Sequence, residues 1–327
     1  MPIAMPMRHA QRGAALLIAM IVVTLVTTLA ASMVWQQWRS MQIEIAERAR
    51  AQSTWMLRGA LDWARLILRE DARPPKPPAT AVDHLNEPWA LPLEEARLST
   101  FLAADKDNTD DAPDVFLSGG ITDAQSHYNL TNLVDQGKVP PAELAILGRL
   151  CQNAGLSTDL ATRIAEGLRD AIAPPASGTS GAATAPLLPR SVSQLNWLGV
   201  DAASVRRLEP FVTLLPVRTP VNVNTAPREV LAAVITGLDL ASAERLVQTR
   251  QRKHFDTLAD VQAQIPGAPT LKPDQLSVTS NFFVVRGRLR LEDRVLEQFS
   301  LVERRGLDVI ALQREIVSAR EGVQAVP

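Results

Sequence analysis

The chain has 327 residues, 46% apolar and 21% charged, with a net charge of −1. That length allows one large or two modest domains with a normal core, and the near-zero charge excludes a global field that draws the protein to nucleic acid or acidic lipid. A single cysteine, Cys151, excludes an internal disulfide and a thiolate zinc site.

The first element in chain order is an apolar run. Between Ala14 and Val34 there is no charge, no Pro and no Gly, and upstream stand Arg8 and Arg12 with no acid. About 20 such residues span a bilayer as a helix. Positive charge kept on the cytoplasmic side orients the span with its N-terminus inside. Trp35, Trp38 and Trp55 follow, and Trp just past a span suits the membrane–water interface. A secretory signal peptide has the same basic region and apolar core, and its cleavage near Thr28-Leu29-Ala30 is the alternative. The helical pattern continues beyond that point. From Trp35 to Glu70 only Gly59 and no Pro interrupt it. Trp38, Met41 and Ile45, then Met56, Ala60, Trp63 and Ile67, recur at three- and four-residue steps, with Arg39, Glu44, Glu47, Arg48, Arg58 and Arg65 opposite. The Pro-rich stretch from Arg73 to Pro78 ends the pattern. The expectation is one helix of about 55 residues, roughly 80 Å long at 1.5 Å per residue.

The junction Arg12-Gly13/Ala14, set before an apolar run that is kept, resembles the type IV pilins and the pseudopilins of type II secretion. The resemblance implies cleavage by prepilin peptidase between Gly13 and Ala14, and N-methylation of Ala14. Counting Ala14 as the first mature residue, the fifth is Ile18, where most members carry Glu. In the family that Glu is thought to pair with the N-terminal amine of a neighbour, and a carboxylate in lipid is costly without such a pair. A subunit with Ile18 cannot make the pair and suits the tip of the fibre. The large K-type minor pseudopilins lack the Glu, and the length of this chain fits them.

Next come short β-prone pieces between turn formers, predicted as strands near Glu95–Leu102, Phe116–Asp123 and His127–Leu130. The stretch from Gly120 to Leu133, ending Asn129-Leu-Thr-Asn-Leu133, resembles a segment typical of the K-type family. Asp105, Asp107, Asp110, Asp111 and Asp114 form an acidic run. Alternating oxygen ligands suit Ca²⁺, but the sixth-position Gly and twelfth-position Glu of an EF-hand loop are missing, and a solvated acidic loop is the alternative. No cofactor is required, and Ca²⁺ is the one candidate ion.

From Pro140 to about Gln264 the pattern is helical. Leu144, Leu147 and Leu150 share one face of a helix running through Cys151, which reads as a core residue rather than a nucleophile. Leu160, Ile164 and Leu168 mark a second helix opened by Ser157-Thr-Asp. The low-complexity segment Pro174–Pro186 reads as a loop. In Val221-Asn-Val-Asn-Thr-Ala-Pro-Arg-Glu-Val-Leu231, Thr225 is placed to cap a helix and Pro227 to sit in its first turn. A second helix from Ala241 to Arg250 and the segment Phe255–Val261 follow. The region resembles a helix-hairpin-helix module of DNA-uptake and repair proteins. Its turn keeps Gly237 but has Asp239 where a second Gly lets phosphate approach, and Arg245, Arg250, Arg252 and Lys253 make it only mildly basic. A packing role is therefore preferred to nucleic-acid binding.

The last stretch returns to strands: one running to Leu291, a second over Arg294–Glu303 and a third over Leu307–Glu315, an antiparallel meander turning at Glu292-Asp293 and Arg305-Gly306. No catalytic constellation is present, neither a zincin helix, a nucleophile elbow, a P-loop nor a dinucleotide fingerprint, so the chain is not read as an enzyme. His84 and His127 are read as structural or solvated.

The fold class is α+β: a type IV pilin-like long N-terminal helix packed on an antiparallel sheet, with a large inserted all-α domain containing the helix-hairpin-helix-like region. The expected organisation is a leader over 1–13, a membrane helix over 14–34, its amphipathic extension over 35–73, a pilin-like domain over 80–131 and 276–318, the insert over 132–275 and a tail over 319–327. The resemblance implies a minor pseudopilin that caps the tip of the type II secretion pseudopilus and is needed for its initiation and for export across the outer membrane. It further implies a single-pass inner-membrane protein with a cytoplasmic N-terminus and a periplasmic C-terminal domain. Its implied partners are the prepilin peptidase and the other minor pseudopilins, of the I, J and H types. The alternatives are a membrane-anchored helix-hairpin-helix DNA-binding protein and a soluble periplasmic protein freed by signal peptidase.

Overall fold

The computed structural model describes residues 11–73, 81–97, 115–172, 186–267, 269–291 and 294–320. Two units divide the chain, residues 1–58 and residues 59–327. Helix α1 spans Gln11–Asp71.

In the first unit α1 is the whole described structure. It contains an 18-residue window of mean hydropathy 2.5, none of it buried. The polar residues in the run do not break it. Thr24, Thr27, Thr28 and Ser32 each donate a hydroxyl hydrogen bond at 2.8–2.9 Å to a carbonyl three or four residues back. In hydrocarbon, where water cannot serve them, this internal satisfaction lets hydroxyl residues stay in the span.

In the second unit the end of α1 lies on a five-stranded antiparallel sheet. The strands are β1 (Leu93–Arg97), β2 (Val115–Asp123), β7 (Phe282–Leu291), β8 (Arg294–Arg305) and β9 (Asp308–Arg320), in the order β1-β2-β7-β8-β9. The helix contributes Leu61, Ala64 and Leu68, spaced three and four apart, to a core with Trp89, Ile121, Phe283, Val285, Val302 and Val309. The stripe expected through Trp63 is therefore corrected. Trp63 is half-exposed on the flank, and Trp38, Met41 and Ile45 of the first unit are exposed too. Residues at helical spacing mark an apolar face, but the face on the sheet is the one carrying Leu61, Ala64 and Leu68, each one residue along from Ala60, Trp63 and Ile67. Trp89 stands edge-on to Phe283 with ring centroids 5.2 Å apart. Arg65 donates from Nε to the Val309 carbonyl at 2.7 Å and ties the helix to β9. Between β2 and β7, Gly119 faces Gly287, and a side chain at Gly119 would collide with the Arg286 carbonyl oxygen.

The three-strand meander at the end of the chain forms as expected, with β9 extending to Arg320. Gly306, at φ +60°, makes the β8–β9 turn, while the other expected turn, Glu292-Asp293, lies outside the described residues.

Between β2 and β7 the chain leaves the sheet to build a second core. Its elements are β3 (Tyr128–Asn129), α2 (Pro141–Asn153), α3 (Thr158–Ile172), α4 (Ala202–Leu208), β4 (Val212–Thr213), β5 (Val221–Asn222), α5 (Arg228–Val234), α6 (Leu240–Arg252), α7 (Leu258–Gln264) and β6 (Leu276–Ser277). Leu147, Leu150, Cys151, Ile164, Leu168 and Leu246 sit in this core at 2% exposure or less. The region is not purely helical: β3 pairs with β4 and β5 with β6, both parallel. The segment His127–Leu130 thus yields a two-residue strand within this region and then a 3-10 turn over Leu130–Leu133. The low-complexity segment Pro174–Pro186 lies outside the described residues except for Pro186.

Candidate functional site

Two features of the chain bear on function: the N-terminal apolar helix and the polar joint that fixes the helical insert to the sheet. On the helix, Ile18 is 62% exposed and its neighbours Leu16, Leu17, Met20 and Ile21 are exposed to a similar degree. Ala14 lies in the same helix, near its start. A bare apolar surface of this kind fits a membrane or a bundle of like helices.

The joint lies where β2 ends, β7 begins and α1 terminates. Asp123, the last residue of β2, is 3% exposed. Its Oδ2 accepts from Ser280 Oγ at 2.6 Å, Thr225 Oγ1 at 2.6 Å and Asn222 Nδ2 at 3.1 Å, and its Oδ1 accepts from the Gln125 amide at 2.7 Å. Burial pushes this carboxyl up to about 6, and the bonds from Ser280 and Thr225 oppose the rise. Asn222 also donates to the Asp83 carbonyl at 3.0 Å and to Ser280 Oγ at 3.0 Å. Gln125 accepts from the Asn281 amide at 2.6 Å and donates to the Pro220 carbonyl at 3.0 Å. Thr225 is therefore not a cap. Helix α5 starts at Arg228 behind Pro227 with no side-chain cap, because Pro227 sets Thr225 too far upstream.

Next to this network Arg304 reaches from β8 with its side chain 10% exposed. It donates to Asp71 Oδ2 at 2.8 Å, to Asp83 Oδ1 at 2.5 Å and to the Ser280 carbonyl at 2.6 Å, and lies 4.9 Å over the Phe283 ring. Asp71, Asp83 and Glu87 crowd within 4.8 Å of one another, and Arg304 supplies the cation that Asp71 and Asp83 share. Burial first, and Asp83 second, raise the Asp71 carboxyl above its ordinary value. Burial also pushes Glu87 up to about 7. Asp71 closes α1, so the joint sets the insert at the C-terminal end of that helix.

Three Asn side chains do comparable work inside the insert. In Asn129-Leu-Thr-Asn-Leu133, Asn129 donates to the Val217 carbonyl and accepts from the Leu215 amide, while Asn132 both accepts from the Thr219 amide and donates to its carbonyl. Asn224 exchanges the same pair of bonds with Phe255 at 2.9 Å each. Each amide mimics a strand neighbour where no strand exists.

The helix-hairpin-helix-like turn has Gly237 at φ +81°, as a tight turn requires. Asp239 caps α6, accepting from the Ser242 amide at 2.6 Å, and these bonds hold its carboxyl below the ordinary range. The helix N-terminus that would meet a phosphate thus carries its own carboxylate. Of the nearby cations, Arg250 is buried and donates to the Val223 carbonyl at 2.6 Å; burial lowers its pKa to about 10. The acidic run Asp105, Asp107, Asp110, Asp111 and Asp114 lies outside the described residues, as do residues 1–10 of the expected leader. Gly13, the other side of the expected cleavage point, lies within α1.

Residues 126–217 and 221–279 match two family profiles, both described as Type II secretion system (T2SS), protein K. A relative from Pseudomonas aeruginosa named Type II secretion system protein K is 29% identical over 324 residues, covering 94% of this chain and 90% of the relative. Proteins of the same name from Pectobacterium carotovorum subsp. carotovorum and Klebsiella pneumoniae are 28% and 29% identical, with 94% and 91% of this chain covered and 97% of each relative. Among solved structures, the GspK-GspI-GspJ complex of the enterotoxigenic Escherichia coli type 2 secretion system contains a chain that matches with a TM-score of 0.63 at 21% identity, over 84% of this chain and 99% of that one. That match shares the fold.

Proposed function

We propose that the chain is a member of the type II secretion system protein K family, which its two profile matches and its relatives of that name support, and that it is the minor pseudopilin at the tip of the pseudopilus, where it supports initiation of the fibre and protein export. The observation that carries this reading is the place of the insert. It emerges from β2 and β7 beside Asp71, where α1 ends, and its bulk there suits a subunit that nothing follows. Ile18 supports the same position, because a terminal subunit has no neighbour to pair with a fifth-position Glu. Prepilin peptidase cleaves between Gly13 and Ala14 and Ala14 is methylated, so the apolar helix remains as a single-pass inner-membrane anchor with residues 59–327 on the periplasmic side. The partners are minor pseudopilins of the I, J and H types, in keeping with the complex in which the fold neighbour was solved.

N-terminal mass spectrometry of the protein from its native host tests the processing. The mature chain is expected to begin at a methylated Ala14; a start after Ala30 refutes the reading. Co-purification of the full chain with I- and J-type subunits from detergent extracts tests the partnership, and its failure with both removes the tip assignment.

A further inference from the structure

Two histidines meet across the joint. His84 belongs to the segment between α1 and β1, and His254 follows α6 in the insert. Their rings stack with centroids 3.9 Å apart and planes 11° from parallel. The side chains are 16% and 32% exposed, and both line a polar cleft of about 490 Å³. The Asn86 amide donates to His84 Nδ1 at 3.2 Å, so the neutral ring carries its proton on Nε2.

The charged groups around the stack leave little to balance a second proton. On the His84 side stand Asp83, engaged by Arg304, and Glu87, which accepts from the His84 amide and from Trp89 Nε1 and lies 3.9 Å from His84 Nε2. On the insert side Asp256 lies 3.3 Å from His254 Nε2 and is shared with Lys253. From the end of α1 come Asp71, held by Arg304, and Arg73, and from β8 comes Arg304 itself. Glu87 is pushed up to about 7, so its negative charge fades as the pH falls through that value. Two imidazolium rings in stacking contact repel at short range, and the carboxylates that oppose this, Asp83 and Asp256, are already engaged by Arg304 and Lys253.

We propose that the His84–His254 stack is an acid-sensitive latch between the helical insert and the segment ahead of β1, closed while at least one ring is neutral and opened when both are protonated. The signs are consistent with this. Burial first, then His254, lower the His84 pKa below its ordinary 6.5. The contact therefore favours the neutral ring: its contribution is complete above 6.5 and is lost as the pH falls through the lower folded value. Glu87 acts in the opposite sense. Its raised pKa is a cost carried above about 7 and relieved on acidification. The two partly cancel in global stability, so the latch shows itself locally rather than in a melting temperature.

The test uses the full-length chain in detergent micelles with isotopically labelled histidine rings, titrated by NMR from pH 8 to 4.5, with hydrogen exchange of 81–87 and 253–257 measured on the same samples and corrected for intrinsic pH dependence. The His84 midpoint is expected below 6.5 and to rise by about half a pH unit or more in His254→Phe, which keeps a flat ring and removes its charge. Exchange in both segments is expected to rise together by about tenfold below pH 6 in the natural chain and to stay level in the variant. A midpoint indifferent to the substitution, or an exchange increase that survives it, overturns the latch. Should the variant fail to fold, the natural chain decides alone: two-step curves, in which each ring's signal registers the protonation of the other, support coupling, and two independent single-step curves overturn it.

Discussion

Replacing Arg304 with Met keeps much of the aliphatic stem over Phe283 and removes the guanidinium from between two carboxylates. Asp83 and Asp71 have side chains 3% and 13% exposed, so water cannot take over. Breaking a buried pair by deleting one partner costs about 3–5 kcal/mol. Asp83 keeps the Ser280 amide at 2.7 Å, which softens its loss, while the Ser280 carbonyl forfeits a charged donor worth about 1.5–3 kcal/mol. A net loss of about 4 kcal/mol at pH 7 follows, or roughly 10 °C in melting temperature for a unit of this size. Near-UV circular dichroism of the packed aromatics, Trp89 on Phe283, reports it in the detergent-solubilised chain. The loss should shrink towards pH 4. Asp71, already raised by burial, takes up a proton as the pH falls and stops being an uncompensated charge. Adding Asp83→Asn to Arg304→Met should return about 1–2 kcal/mol through coupling of neighbours. A loss below about 1 kcal/mol, or one equal at pH 4.5 and 7.5, would mean the cluster behaves as exposed charges do and the joint reading is wrong.

Asn222→Ala removes an Nδ2 whose two hydrogens serve three buried acceptors, on Asp83, Asp123 and Ser280, and is expected to cost about 2–4 kcal/mol in urea unfolding. Asn222→Asp should do worse at pH 8 than at pH 5, because it sets a second carboxylate against Asp123, which already titrates near 6; a profile flat across that range refutes the contact. Cys151 is fully buried with its thiol pushed up to about 11, so maleimide at pH 7.5 should label the native chain about a hundredfold more slowly than the urea-unfolded one.

Much of the architecture was legible because periodicity and punctuation are local. Leu160, Ile164 and Leu168 marked their helix, and the β-branched run ahead of Arg286 marked the central strand. Pro74 and Pro75 bounded α1 for the same reason. The joint was not legible. Asp83, Asp123, Asn222, Ser280 and Arg304 are scattered over more than 200 residues, and each looks like an ordinary turn or strand polar residue until the fold buries it. A weak signal did exist: Asn interleaved with Val in Val221-Asn-Val-Asn, and Asn repeated in Asn129-Leu-Thr-Asn-Leu133, set amides inside otherwise apolar runs, and all four residues of the first run are 2% exposed or less. Trp63 misled because its spacing with Ala60 and Ile67 is as helical as that of Leu61, Ala64 and Leu68, the set that the sheet covers.

The insert hangs from adjacent ends of neighbouring strands, with Asp123 opposite Phe283. A force that drew the insert away from the sheet would therefore peel β2 from β7 one backbone bond at a time, the weakest loading geometry an antiparallel pair offers, whereas a force along the strands would strain the whole ladder at once. The side chains that bridge Asp123 to Ser280 and Gln125 to Asn281 sit at the mouth of that seam, where peeling starts. They act as a rip-stop. Under end-on load such a stitch adds more than additional strength anywhere further along the ladder would.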